Sequence, residues 1–148
     1  MNNLKNIKEI LDLGTKEKIK ILESLSSTDN IEIIQKIILK LDDNDIQVRG
    51  EAFSALILNE NKISDLLISN LSSQNKNIRG YASLVLSNRN DSSAISEIIK
   101  LTHDQNSMVR ACALGALGHL KAKEAIHNCL FDSNLEVRKS ALQAIIDL

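Results

Sequence analysis

Val48-Arg49-Gly50-Glu51-Ala52-Phe53-Ser54-Ala55-Leu56 decides how this chain folds, because it returns three more times. It comes back as Ile78-Arg79-Gly80-Tyr81-Ala82, as Val109-Arg110-Ala111-Cys112-Ala113 and as Val137-Arg138-Lys139-Ser140-Ala141. The arginines stand 30, 31 and 28 residues apart, each after a β-branched residue and three before an alanine. A period of about 30 with helical content marks a repeat protein, in which no unit buries its apolar face alone and each stacks on its neighbours.

Outward from each arginine the pattern stays in phase. At 100° per residue, the positions one before it and three, six, seven and ten after it share a side, and they are mostly Val, Ile, Ala and Leu. That side is the predicted core. Four residues before each arginine stand Asp45, Asn75, Asn106 and Asn134, all residue types that cap a helix by accepting a free first-turn amide. Six before stand Asp43, Ser73, Asp104 and Asp132. An aspartate in the turn and an arginine one turn into the helix can pair within a repeat and between neighbours, which predicts an ion-pair ladder broken at Ser73. Each signature helix is preceded by an apolar first helix, over about 31–41, 63–71, 94–101 and 122–130. The segment 31–41 carries Ile33, Ile34, Ile37, Ile38 and Leu39 on more than one face, which predicts contacts on several sides. Upstream, Leu4, Ile7, Ile10 and Leu11, a stop and cap at Gly14-Thr15, then Ile19, Ile21, Leu22 and Leu25 read as a capping helix pair with a polar outer face. The expected fold is all-α, an α-solenoid of about five stacked helical hairpins. It forms a single domain over 1–148, with an atypical N-terminal cap at 1–29 and four regular repeats at 30–148.

Composition agrees with helices. The chain has no proline and only Tyr81, Phe53 and Phe131 as aromatics, where sandwiches and barrels are usually richer. At 148 residues it can bury roughly 70% of its unfolded surface. Net charge is −1 with both signs interspersed, so no basic stripe invites a nucleic acid. The N-terminus lacks the apolar run of a signal peptide and no segment is apolar enough to span a bilayer, from which a soluble, cytoplasmic protein is expected. Cys112 and Cys129 are too few for a disulfide framework and too far apart for a metal-binding pair, so both are expected reduced.

The turn aspartate, the Val-Arg six residues on and the alanines and leucine that follow resemble HEAT repeats, especially the short repeats of phycobilisome-lyase-type HEAT-like proteins. The resemblance covers 30–148 and reaches 1–29 only by analogy. It implies second helices lining a concave side, with Arg49, Arg79, Arg110 and Arg138 in packing roles. Enzymes built on this architecture set useful comparisons. Deoxyhypusine hydroxylase takes iron ligands from His-Glu dipeptides, whereas this chain offers His103-Asp104, His119-Leu120 and His127-Asn128, so that site does not carry over. HEAT-like DNA glycosylases need a basic concave face, and none is present here. No phosphate loop, nucleophile elbow or spaced catalytic triad occurs either. No metal, cofactor or catalytic residue is therefore assigned. An accessory protein for cofactor or pigment handling is the alternative function, with Cys112 beside Tyr81 as the place to look.

The face opposite the core is set by positions one, five and eight after each arginine. These are Gly50, Ser54, Ile57; Gly80, Leu84, Ser87; Ala111, Gly115, Gly118; and Lys139, Gln143, Ile146, with a single charge among them. Four of the five glycines fall on this stripe, although glycine inside a helix costs about 1 kcal/mol relative to alanine. Two readings stand: small residues relieving crowding between second helices, or an uncharged groove that admits a partner helix or peptide. The expected function is a non-catalytic protein-interaction scaffold, its partner held on the concave face by Glu51, Ser54, Tyr81, Leu84, Cys112, Gly115 and His119. The apolar ending at Ala144-Ile145-Ile146 adds a homodimer through the C-terminal repeat as an expected association.

Overall fold

The computed structural model describes residues 14–148, and all regular elements among them are helical. The expected helix over Leu4 to Leu11 lies outside the described residues. Contacts cluster into two compact units that divide between Ile63 and Ser64, at the start of the hairpin whose turn carries Ser73 instead of an aspartate.

In the first unit, α1 (Thr15–Ser24) precedes α2 (Ile31–Leu39), a 3-10 turn (Lys40–Asp42) and the signature helix α3 (Ile46–Leu58). Asn30 caps α2 through a 3.1 Å bond from the Ile33 amide. Ile33, Ile34, Ile37 and Ile38 are buried, but Ile31 and Leu39 lie about half exposed, so α2 is covered on one broad face and not all round. Val48, Ala52, Ala55 and Leu56 of α3 close the core, as their phase to Arg49 predicts. Asn59, ten after that arginine, is buried too. Its side-chain amide donates to the Thr28 carbonyl at 2.8 Å, tying the end of α3 to the loop before α2. Thr15 is not the local cap expected of it. Gly14 occupies the cap position without a side-chain bond, and the Thr15 hydroxyl donates instead to Asp45 at 2.7 Å.

The second unit holds three hairpins: α4 (Ser64–Asn70) with α5 (Lys76–Asn88), α6 (Ile95–Leu101) with α7 (Ser107–His119), and α8 (Lys123–Ile126), continued by a 3-10 segment (His127–Phe131), with α9 (Leu135–Ile146). Second helices α5, α7 and α9 pack consecutively, α7 lying against both others. Their buried sides are Ile78, Ala82, Val85 and Leu86; Val109, Ala113, Ala116 and Leu117; Val137, Ala141 and Ala144. The α-solenoid fold of helical hairpins, expected from the period, is thus observed. Cys112 and Cys129 are free thiols.

Candidate functional site

The turns come first, because they hold the second helices in place. Asp45, Asn75, Asn106 and Asn134 cap α3, α5, α7 and α9, each side-chain oxygen accepting one or two first-turn amides. Two residues earlier, Asp43, Ser73, Asp104 and Asp132 accept the amide of the capping residue at 2.8–3.1 Å. Each signature arginine reaches back with Nη1 to its own turn, donating to the carbonyls of Asp43, Ser73, Asp104 and Asp132 at 2.7–2.9 Å. In Arg79 and Arg110 the other edge of the guanidinium faces the next hairpin. Arg79 donates Nε and Nη2 to Asp104 at 2.8 and 3.0 Å, and Arg110 does the same to Asp132. Within a repeat the arginine therefore takes a carbonyl, and between repeats a carboxylate. These side chains are only 9–15% exposed, so the pairs are shielded from the water that makes surface pairs weak.

The acids respond accordingly. Burial opposes ionisation of Asp104, but the Arg79 guanidinium and the Asn106 amide more than offset it and hold the carboxyl below its ordinary value. Asp132 is lowered chiefly by its bond from Arg110. Sequence reasoning missed one rung. Lys18 stands 31 residues before Arg49 and meets Asp43 at 3.0 Å, with Lys40 at 3.8 Å on the same oxygen. The spacing was the available signal; the flanking valine and alanine of the signature are absent there.

On the second helices the glycine stripe divides. Gly80 is buried beneath α7, and a Cβ built there would meet Met108 Sδ at 3.1 Å and Cys112 Sγ at 3.2 Å. Gly118 is buried against α9, where a Cβ would lie 2.9 Å from the Ala144 Cβ. Ser87 is buried as well. The expectation that this stripe faces outward is corrected at these three positions, because adjacent second helices approach closely enough to cover them. Gly50 and Gly115 are exposed. A Cβ at Gly50 would meet nothing within 4 Å, and one at Gly115 only Leu84 Cδ2 at 3.7 Å.

Around Gly115 lies an open groove of about 630 Å³ on α7 and α9. Small side chains floor it, including Ala111, Ser140 and Ala144, and His119, Lys121 and Gln143 stand on its rim. Asn90 and Lys121 reach the lip by the same device. Each follows a second helix with positive φ, 55° and 58°, and the next amide bonds back to Leu86 or Leu117 respectively, a Schellman ending. Asparagine tolerates that backbone; lysine holds it at a cost of roughly 1–2 kcal/mol.

Of the residues expected at the partner site, Leu84 and Gly115 are neighbours and His119 shares the groove with Gly115. Cys112 lies instead in the α5–α7 contact, its thiol donating to Met108 Sδ at 3.5 Å and its pKa pushed up by burial to about 11. Tyr81 is half-buried on α5. In the first unit, Ser54 is exposed and Glu51 half-buried on α3. Asn90, Lys121 and Gln143 were not expected at a site. Asn90 and Lys121 belong to helix ends, where only the chain's left-handed turn brings them to the groove. Among the described residues no group of three or more His, Cys, Asp or Glu is placed to hold a metal, and no helix is long and apolar enough to cross a membrane.

A repeated cap, turn carboxylate and bridging arginine on stacked hairpins coincide with a match to the family model described as HEAT repeats over residues 64–146, more than half the chain. The chain belongs to the HEAT repeat family. A second model, HEAT repeat associated with sister chromatid cohesion, matches residues 20–50 of this HEAT chain. Comparison with curated proteins finds no match. Among solved structures, an engineered protein studied by the Northeast Structural Genomics Consortium is similar at TM-score 0.52 and 18% identity, covering 94% of this chain and 76% of its own. A designed armadillo repeat protein aligns at TM-score 0.49 and 20% identity, covering 95% and 79%. The first of these likenesses bears on fold alone.

Proposed function

We propose that this HEAT chain is a non-catalytic, cytoplasmic protein-interaction scaffold that takes a helix or peptide segment of another protein onto its second helices. The observation that carries this reading is the groove around Gly115, floored by small side chains and rimmed by His119, Lys121 and Gln143. A floor without long side chains lets a partner backbone approach closely, and a polar rim orients it. Lys121 supports the same reading, since a strained backbone at the lip is easier to understand where its side chain has a use. Leu84 and His119 belong to this surface, and Tyr81, half-buried on α5, and Cys112, in the α5–α7 contact, are proposed with them. In the first unit Glu51 and Ser54 are proposed as partner-binding residues of α3 by itself, where Gly50 leaves the helix surface open.

Affinity capture from the native host with wild type beside Gly115→Arg tests the site. The substituted side chain enters open space, so the fold is retained by circular dichroism while the partner is lost; unchanged capture would sink the assignment. Residues 1–148 should unfold in urea as one domain, and two separated transitions would divide it. A homodimer through the C-terminal repeat, where Leu142 and Ile146 are exposed, is the alternative association and is read by sedimentation. For the pigment-handling alternative suggested by phycobilisome-lyase-type repeats, a Cys112 thiol with a pKa near 11 argues against covalent attachment at neutral pH.

A further inference from the structure

We propose, resting on the groove reading above, that the partner segment is a helix that places a leucine over Gly115 and, three or four residues along, a carboxylate against Lys121. The step from α5 to α7 shows what fills such a space. Leu84, five residues after Arg79, lies over α7 with its Cδ2 3.7 Å from where a Cβ on Gly115 would stand. One repeat on, Gly115 itself stands five after Arg110, and Gln143 five after Arg138. The α7–α9 step thus repeats the α5–α7 step without its leucine, and the groove of about 630 Å³ opens where that side chain would lie. Ser140, in the place that Cys112 holds on α7, keeps the floor small. A following hairpin does not close this side of a second helix. Tyr81, Leu84 and Asn88 share it on α5, and all three stay partly or fully exposed although α7 and α9 stack after them.

The charge on the lip points to the same occupant independently. Lys121 forms no ion pair among the described residues. It does not turn to Asp147, the one carboxylate lining the groove, which accepts instead from Gln143 Nε2 at 2.8 Å. It stands on a left-handed backbone, φ 58°, that Asn90 adopts with less strain after α5. His119 follows Gly115 by one turn of α7, about 6 Å, and the lip at Lys121 lies just beyond. A partner helix running beside α7 spans that distance with residues three or four apart, which lie on one face. An apolar side chain set a turn from an acid therefore meets the empty leucine place and the uncompensated ammonium together.

The probe is a phage-displayed library of alanine-based helical peptides, randomised along one face and selected on the full chain. Enriched peptides should carry Leu, Ile or Met with Asp or Glu three or four positions away. Gly115→Leu returns to α7 the side chain that Leu84 supplies on α5; circular dichroism should show it folded, and it should bind those peptides at least about tenfold more weakly, the scale of one buried leucine. Selection on Lys121→Glu should replace the acid with Lys or Arg. No enrichment, or an acid position that Lys121→Glu leaves unchanged, overturns the proposal even if Gly115→Leu does not fold. Peptides without the apolar–acid pair that still fail to bind Gly115→Arg would keep the groove and overturn this occupant. Peptides that bind Gly115→Arg as well as wild type would remove the groove and its occupant together.

Discussion

Four Gly→Ala substitutions on one stripe should split by sign, although their chemistry is identical. Alanine within a helix gains about 1 kcal/mol over glycine by propensity, so each variant begins with that credit or, near a helix end, somewhat less. At Gly50 the new methyl meets nothing within 4 Å, and at Gly115 it meets Leu84 Cδ2 at an ordinary 3.7 Å. Both should therefore be more stable by about 1 kcal/mol. At Gly118 the methyl would stand 2.9 Å from the Ala144 Cβ and 3.2 Å from its Cα. Neither atom can rotate away, so α7 and α9 must separate by at least about 0.6 Å to reach the 3.5–4.0 Å optimum for carbon pairs. Overpacking of that kind costs about 1–3 kcal/mol, which outweighs the propensity gain and leaves a net loss near 1 kcal/mol. Gly80→Ala should fall between, because the sulfurs of Met108 and Cys112 are flexible enough to give by a few tenths of an ångström. With a urea slope of about 2 kcal/mol/M, midpoints should rise by roughly 0.5 M for Gly50→Ala and Gly115→Ala and fall by a similar amount for Gly118→Ala. Equal stabilisation at Gly118 and Gly50 would refute the close-approach reading. Gly115→Ala would then add a second readout: a stabilised protein with weakened partner capture separates the groove from the fold.

Three further outcomes are expected. A double-mutant cycle of Arg79→Gln and Asp104→Asn should give a coupling above about 1 kcal/mol in urea melts, whereas Lys139 with Glu136, both well exposed, should give a few tenths. Because Asp104 titrates below its ordinary value of 3.8 when folded, the ladder coupling should be complete above that value and vanish as pH falls through the lower folded pKa; a coupling unchanged at pH 2.5 would contradict this. Asn134→Ala removes the oxygen that accepts the Glu136 and Val137 amides and should cost about 1 kcal/mol, measured as a urea midpoint shift.

The period and the caps were legible because they are local and repeated. An asparagine four residues before an arginine means the same thing in each hairpin, and the cap bonds of α5, α7 and α9 are near copies. The ladder was legible for a related reason: its partners sit at fixed phase in consecutive repeats. What the sequence did not disclose depends on distance between helices. A helical wheel places Gly80, Gly115 and Gly118 on one side, but only packing tells that α7 covers Gly80, that α9 covers Gly118 and that Gly115 is left open. Lys121 was hidden for another reason, since lysine gives no sign of a left-handed backbone that Leu117 and Gly118 impose by accepting the amides of Ala122 and Lys121.

Lys18 and Arg79 show what the choice of cation does for such a fold. The ammonium of Lys18 meets Asp43 through a single oxygen, while the planar guanidinium of Arg79 bonds two hairpins at once, the Ser73 carbonyl behind it and both oxygens of Asp104 ahead. A point charge attracts; a fork also fixes angle and offset. In the second unit two such forks set how α5, α7 and α9 lie beside one another, and hence whether Gly118 can touch Ala144 while Gly115 stays clear. The groove is consequently a product of bonds made on the turns, remote from its floor. Arg110→Lys, which keeps the charge and loses the fork, should loosen the α7–α9 spacing. It should weaken partner capture by more than it lowers the urea midpoint, an outcome that a purely local groove would not produce.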